Sequence, residues 1–160
     1  MGAARRAWPR RLCGSVRSLC SASLPPHKVV PMPRLAPTMT TGKVHQWNIG
    51  IGDAISPYDL VFQVSITGPE LLGNDATEKQ ADAVVVMEIE CIEDGFLAKI
   101  LAPVGADAGP DQPIAVICED PDDVAAFANY VPSIKKVPSG QFLWQAYLVS
   151  GLEATSCSNS

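Results

Sequence analysis

The sequence predicts an all-β fold built from two half-domains packed around one core. Two observations carry this. Gly42-Lys-Val-His-Gln-Trp-Asn-Ile-Gly-Ile-Gly52 is echoed by Gly95-Phe-Leu-Ala-Lys-Ile-Leu-Ala-Pro-Val-Gly105 at a constant offset of 53 (95 − 42 and 105 − 52). Pro57 and Pro110 keep that offset, and Leu60-Val-Phe-Gln-Val64 falls in register with Pro113-Ile-Ala-Val-Ile117. Self-similarity at a fixed spacing is a fold-level signal. Two copies are too few for a solenoid and suggest halves related by a pseudo-twofold axis. The competing reading is a chance likeness of two β-rich segments. The second observation is the alternation of apolar and polar residues in short runs divided by Gly, Pro and Asp.

Residues 28–33 read as a first strand, and Pro31 and Pro33 place it at a sheet edge. Pro37-Thr-Met-Thr-Thr-Gly42 is a turn, and strands follow at 43–49 and 60–66. In the run 84–91, Val85, Met87, Ile89 and Cys91 share one face, with Glu88 and Glu90 on the other. Asp94-Gly95 signals a tight turn into a strand over 96–101, and 113–118 close the set. The expected core is Val44, Phe62, Val64, Met87, Ile89, Leu97, Ile100, Ile114 and Val116. Residues 120–130 read as a short helix, with Asp120 as N-cap, Pro121 at the first helical position and Pro132 ending it. Residues 132–139 look like a linker, and the Ser-rich end has no pattern. Between the third and fourth strands, 67–82 is polar, acidic and too long for a tight hairpin. It reads as a mobile insertion.

The charge is divided. Residues 1–52 hold eight Lys and Arg and no acid, whereas the rest holds 17 acids against four Lys, a net of −13. The leader, with Arg5, Arg6, Arg10, Arg11 and Arg17 among serines, has the composition of an organelle transit peptide. A disordered basic tail or nucleic-acid arm is the other reading. Phosphates would repel the acidic remainder, which argues against nucleic acid as a partner. Cys13, Cys20, Cys91, Cys118 and Cys157 form no CxxC pair, so neither a disulfide framework nor a zinc site is expected. The late apolar stretch 142–152 is too short to cross a membrane as a helix. No Gly-rich phosphate loop appears, and His27 and His45 have no acid at a useful spacing for base catalysis.

Several segments resemble the lipoyl-domain family of 2-oxo acid dehydrogenase complexes. Val30-Pro-Met-Pro-Arg-Leu-Ala-Pro-Thr-Met39, Gly42-Lys-Val-His-Gln-Trp47 and Gly52-Asp-Ala-Ile-Ser-Pro-Tyr-Asp-Leu60 resemble its first half. Asp94-Gly-Phe-Leu-Ala-Lys-Ile-Leu-Ala-Pro-Val-Gly105 resembles its second. Residues 113–130 are similar to the segment that follows in acetyltransferase (E2) subunits of the mitochondrial pyruvate dehydrogenase complex. The resemblance covers about 28–130. It implies a flattened β-barrel of two four-stranded antiparallel sheets with quasi-twofold symmetry. It also implies a carrier rather than an enzyme: a hairpin Lys bears covalent lipoic acid, whose long arm takes acetyl groups from pyruvate chemistry to coenzyme A. The implied partners are pyruvate dehydrogenase (E1), dihydrolipoamide dehydrogenase (E3), the other subunits and a lipoyl ligase, in the mitochondrial matrix, with no membrane.

The family carries an acid-Thr-Asp-Lys-Ala run after the third strand, and this chain departs from it. Counting forward from Leu60 puts the modified position at Gly68; counting back from Gly95 puts it near Val84. Neither is Lys. The insertion's only Lys is Lys79, in Ala76-Thr-Glu-Lys-Gln-Ala81, which makes it the candidate lipoyl attachment; the other reading is an ordinary solvated Lys. Biotin carriers share the fold, but Glu88 stands where their Lys would be. The family's catalytic His-x-x-x-Asp-Gly motif is absent from the chain. The expected division is a transit peptide and linker (1–27), a lipoyl-like domain with its insertion (28–119), a short helix (120–130), and a linker with an unstructured tail (131–160). An unmodified lipoyl-like binding module is the alternative function.

Overall fold

A computed structural model of the chain describes residues 23–68, 83–138, 140 and 142–149. Residues 1–22 of the basic leader, residues 69–82 of the expected 67–82 insertion and the last residues lie outside them, while Thr67 belongs to a strand. The strands are β1 (His27–Pro31), β2 (Gly42–Trp47), β3 (Ala54–Ile55), β4 (Asp59–Thr67), β5 (Val84–Cys91), β6 (Gly95–Ile100), β7 (Asp107–Ala108), β8 (Pro113–Cys118) and β9 (Trp144–Leu148). Adding 53 to the bounds of β2 gives those of β6, and adding 53 to β3 gives β7.

The hydrogen bonds repeat at the same offset. Gly52 N–H donates to Leu97 O at 2.7 Å, and Gly105 N–H donates to Val44 O at 2.8 Å. Leu97 N–H reaches Asp53 O at 3.0 Å, and Val44 N–H reaches Ala106 O at 2.9 Å. Each half thus lends a short strand to the other half's sheet. The turns that allow this put Gly52 at φ 91° and Gly105 at φ 86°, in the left-handed region that glycine enters without penalty.

One sheet has the order β1-β8-β6-β3 and the other β7-β2-β4-β5-β9, with every pairing antiparallel. Exchanging β1–β4 with β5–β8 carries the first sheet onto the first four strands of the second. The all-β sandwich is as expected, except that one sheet has a fifth strand with no symmetry mate. The core lies between the inner faces. Val44, Phe62, Val64, Ile89, Leu97 and Ile114 are buried together, with Met87 and Ile100 packed at the margin. Trp47 stacks on Phe62 at 5.0 Å and donates from Nε1 to Ala102 O at 3.0 Å, so its polar end is satisfied.

Val116 departs from the expected single cluster. It packs with Ala98, Cys118 and Phe127 on the other face of β8. β8 is therefore buried on both faces, which explains its unbroken apolar run. The cover comes from the expected short helix, a 3₁₀ helix over Pro121–Phe127 that stops before 130. Asp120 takes the N-cap position, but its side chain makes no capping bond. His27 meets Phe127 at 5.0 Å and Tyr130 at 5.3 Å, edge to face, and Lys99 Nζ donates to Ala128 O and Tyr130 O at 2.7 and 3.0 Å.

The expectation that 131–160 is linker and unstructured tail needs correction over 142–149. Phe142 is buried in the main core, and Trp144–Leu148 adds to the edge of β5. Val137 is also buried, and its N–H donates to Asp111 O at 2.7 Å. The segment folds because β5 offers an open row of backbone groups and the sandwich offers a gap for an aromatic ring. Neither is local to the segment.

Candidate functional site: the end of the β4–β5 hairpin

β4 and β5 pair from Asp59↔Cys91 to Thr67↔Val84, with one register shift between Leu60 and Phe62. Beyond the last pair, Gly68 N–H donates to Ala83 O at 2.7 Å. The ladder is thus closed at the base of the connection that holds Lys79. The two sequence counts to the modified position meet here: Gly68 and Val84 are the two sides of this base. The forward count runs along β4, and the backward count crosses the turn at 92–94 and runs along β5. Lys79 itself lies outside the described residues.

The platform beneath the connection is packed. Ile66 is buried, Val85 packs against the core, and Ser65 Oγ donates to Lys43 O. A cleft of about 240 Å³ borders the hairpin base, lined by Lys43, Ser65, Thr67, Val84 and Asp107 among others. The expected polar face of β5 is partly apolar here, because Val86 is buried alongside Ser65. Val84 is exposed at the base.

None of the described lysines lies in the β4–β5 connection. Lys28 bonds to Glu93, and that hydrogen bond raises its pKa. Lys99 lies under the 3₁₀ helix, and Lys43 stands 3.9 Å from Asp107. Lys135 and Lys136 are exposed beyond the 3₁₀ helix. Glu88, in the place of a biotin carrier's Lys, sits mid-strand opposite Tyr147 and accepts from Gln63 Nε2 at 2.8 Å. His45 is exposed where β2 shifts register against β4. Among the described residues, no group of three His, Cys, Asp or Glu converges to hold a metal ion.

Cys91 and Cys118 are buried free thiols. Burial pushes Cys91 up to about 11, from an ordinary 9.0, and pushes Cys118 up as well. Below pH 9 both folded and unfolded chains keep these protons, and the stability is fully present. Above it the unfolded chain releases them first, so stability is lost as pH rises towards 11. Urea unfolding at pH 8 and pH 10 checks this, and the midpoint is expected to be lower at pH 10. Double replacement by Ala should flatten the dependence.

No family model matches the chain. Curated relatives do. It is 37% identical over 127 residues to the mitochondrial dihydrolipoyllysine-residue acetyltransferase component 2 of the Arabidopsis thaliana pyruvate dehydrogenase complex, covering 78% of this chain and 21% of the relative. Against the corresponding Saccharomyces cerevisiae component it is 38% identical over 112 residues, 69% of this chain and 20% of the relative. The Zymomonas mobilis component is 33% identical over 111 residues, 69% of this chain and 22% of the relative. The chain is thus similar in sequence to acetyltransferase components of pyruvate dehydrogenase complexes, and its two-sheet fold is consistent with a lipoyl domain. It spans about a fifth of the length of the relatives it matches.

A lipoyl domain must supply an amine and a rigid base to present it. The closed Thr67–Val84 ladder meets the second requirement. Within the connection, Lys79 is the only side-chain amine in the sequence. The residues present therefore fit a covalently attached arm on this hairpin. Sequence reasoning missed the lining of the adjacent cleft, whose residues come from four strands, β2, β4, β5 and β7, and have no shared spacing.

Proposed function

We propose that this chain is an acyl-carrier domain of a pyruvate dehydrogenase complex, with lipoic acid in amide linkage to Lys79. The observation that supports it best is the closed base of the β4–β5 connection. An attachment point is useful only if its root is fixed, because a positioned group meets an active site at high effective concentration. The lipoyl group, when bound, supplies a disulfide that accepts an acyl group and releases it to coenzyme A. The protein holds the root of the arm and keeps the packed sheet beneath it. It acts as a carrier and not as a catalyst. Its proposed partners are the E1 and E3 enzymes, the remaining subunits and a lipoyl ligase.

The test is incubation of the 160-residue chain with ligase, lipoate and ATP, followed by intact-mass and peptide mapping. A single lipoyl adduct on Lys79, absent from Lys79→Arg, is expected. An adduct on Lys43 or Lys99 would place the attachment on the wrong strand register. No adduct, in a chain that still binds the complex, would favour an unmodified binding module.

A mitochondrial matrix location belongs to the same proposal and is supported by the acid-free, Arg-rich leader. Residues 1–27 fused to a fluorescent reporter should carry it into mitochondria. A reporter left diffuse in the cytosol would remove this part of the reading.

A further inference from the structure

Among the described residues the two sheets have four edges, and three of them are blunted. β3 and β7 are two residues long. β1 carries Lys28 and Pro31 and loses register between Val30 and Pro31. Short strands, lysine, proline and irregular register all discourage an edge from pairing with another chain. β9 has none of these devices. Trp144–Leu148 contains no charge and no proline and pairs with β5 without a shift. The neutral run extends from Val137 to Leu152, in a chain whose residues after 52 carry a net of −13.

The ladder determines which backbone groups are open. Ile92 N–H donates to Leu143 O and Val149 N–H donates to Val86 O, both at 3.1 Å. The antiparallel alternation then turns Gln145 and Tyr147 towards β5 as well. The N–H and C=O groups of Trp144, Ala146 and Leu148 point away, into the open side. Leu148 is 67% exposed there, although it shares strand parity with the core-packed Trp144 and Ala146.

We propose that β9 pairs with the β9 of a second copy, antiparallel about a twofold axis through Ala146. Ala146 then faces its own counterpart, and Trp144 faces Leu148 of the second copy. In this register every outward-facing residue meets another, so each row exchanges both backbone bonds. A slip of one residue would set outward groups against inward ones. The pairing covers the exposed Leu148 with an indole. It brings two acidic domains together along the stretch that is free of charge, where like-charge opposition is smallest. The contact is the same patch on both copies, so it closes as a dimer and does not grow into a fibre. A five-residue strand buries less than the roughly 1,200 Å² of stable complexes, so the dimer is weak and concentration-dependent.

Sedimentation equilibrium of the 160-residue chain, from about 5 µM to about 1 mM, tests this in the range where weak complexes form. The average mass should rise from monomer towards dimer and level there. Leu148→Lys places a charge on the edge, and Ala146→Pro removes an outward N–H while leaving the β5 bonds intact. Both should stay monomeric with unchanged circular dichroism. Leu148→Lys alters an exposed side chain and keeps the test open should the proline variant unfold. Amide exchange at Trp144, Ala146 and Leu148 should slow as concentration rises, with Gln145 and Tyr147 unaffected. A wild-type monomer at about 1 mM, variants that associate as well as the wild type, or growth past the dimer overturns the proposal.

Discussion

Gly95→Ala is expected to lower the unfolding free energy by about 2–5 kcal/mol, whereas Gly42→Ala lowers it by only about 1 kcal/mol. The two glycines are equivalent in sequence, 53 residues apart, and each opens a strand. Their surroundings differ. Gly95 has φ 147°, and a Cβ there would lie 2.6 Å from Ile117 Cγ2 and 2.7 Å from the Cys118 carbonyl oxygen. That oxygen belongs to β8, which pairs with β6 and is buried on both faces, so it has nowhere to move. Backbone strain and overlap therefore add. A Cβ on Gly42 would lie 2.5 Å from Met39 Cε and 3.0 Å from Val64 Cγ1. The nearest of these ends a flexible side chain that can rotate aside. Urea denaturation of both variants gives the comparison. Equal losses would mean that the twofold governs the energetics as well as the backbone trace.

The echo at 53 residues made much of the fold legible. It reproduces the bounds of β2 with β6 and β3 with β7, although the two-residue strands are too short to carry alternation of their own. Neither was read as a strand from the sequence, because their pairing partners lie in the opposite half. The inward face of β5 was also legible, since Ile89 and Cys91 are buried and Val85 and Met87 pack against them. Val86 was not, because its burial depends on what lies over the outer face near Ser65. The candidate hairpin was located through the family resemblance. Composition and spacing stopped at a small β domain, because a lysine that bears a cofactor has no local pattern distinguishing it from a solvated one. The insertion then separated the two counts, and only the ladder shows that both end at the same place.

β9 was the largest omission. Trp144-Gln-Ala-Tyr-Leu148 does alternate, weakly, but it sits in a neutral run after a Pro- and Ser-rich linker. Strand formation here is a property of the neighbouring edge more than of the residues. The connection from the 3₁₀ helix is anchored at one point by Val137 and again by Phe142, with the strand beginning directly after.

Phe142→Ala is accordingly expected to cost about 3–5 kcal/mol, a value typical of removing a buried aromatic ring. The ring is 4% exposed and belongs to the main core, although it comes from the last described segment. Its loss removes apolar contacts and leaves a hole where Met32 and Trp144 line the neighbouring cleft. It also loosens β9, whose remaining holds are the edge ladder to β5 and the partly buried Trp144 and Ala146. A melting temperature lower by on the order of 15 °C should accompany the change. Amide exchange distinguishes the two consequences. If Phe142 anchors β9, then Ile92 and Val149, which donate across the β5–β9 pair, should lose protection before the β4–β5 ladder does. Leu143→Ala, at a neighbouring exposed position, should cost less than about 1 kcal/mol and serves as the control. Equal protection of both ladders in Phe142→Ala would show that β9 is held without Phe142, by its backbone bonds and by Trp144 and Ala146.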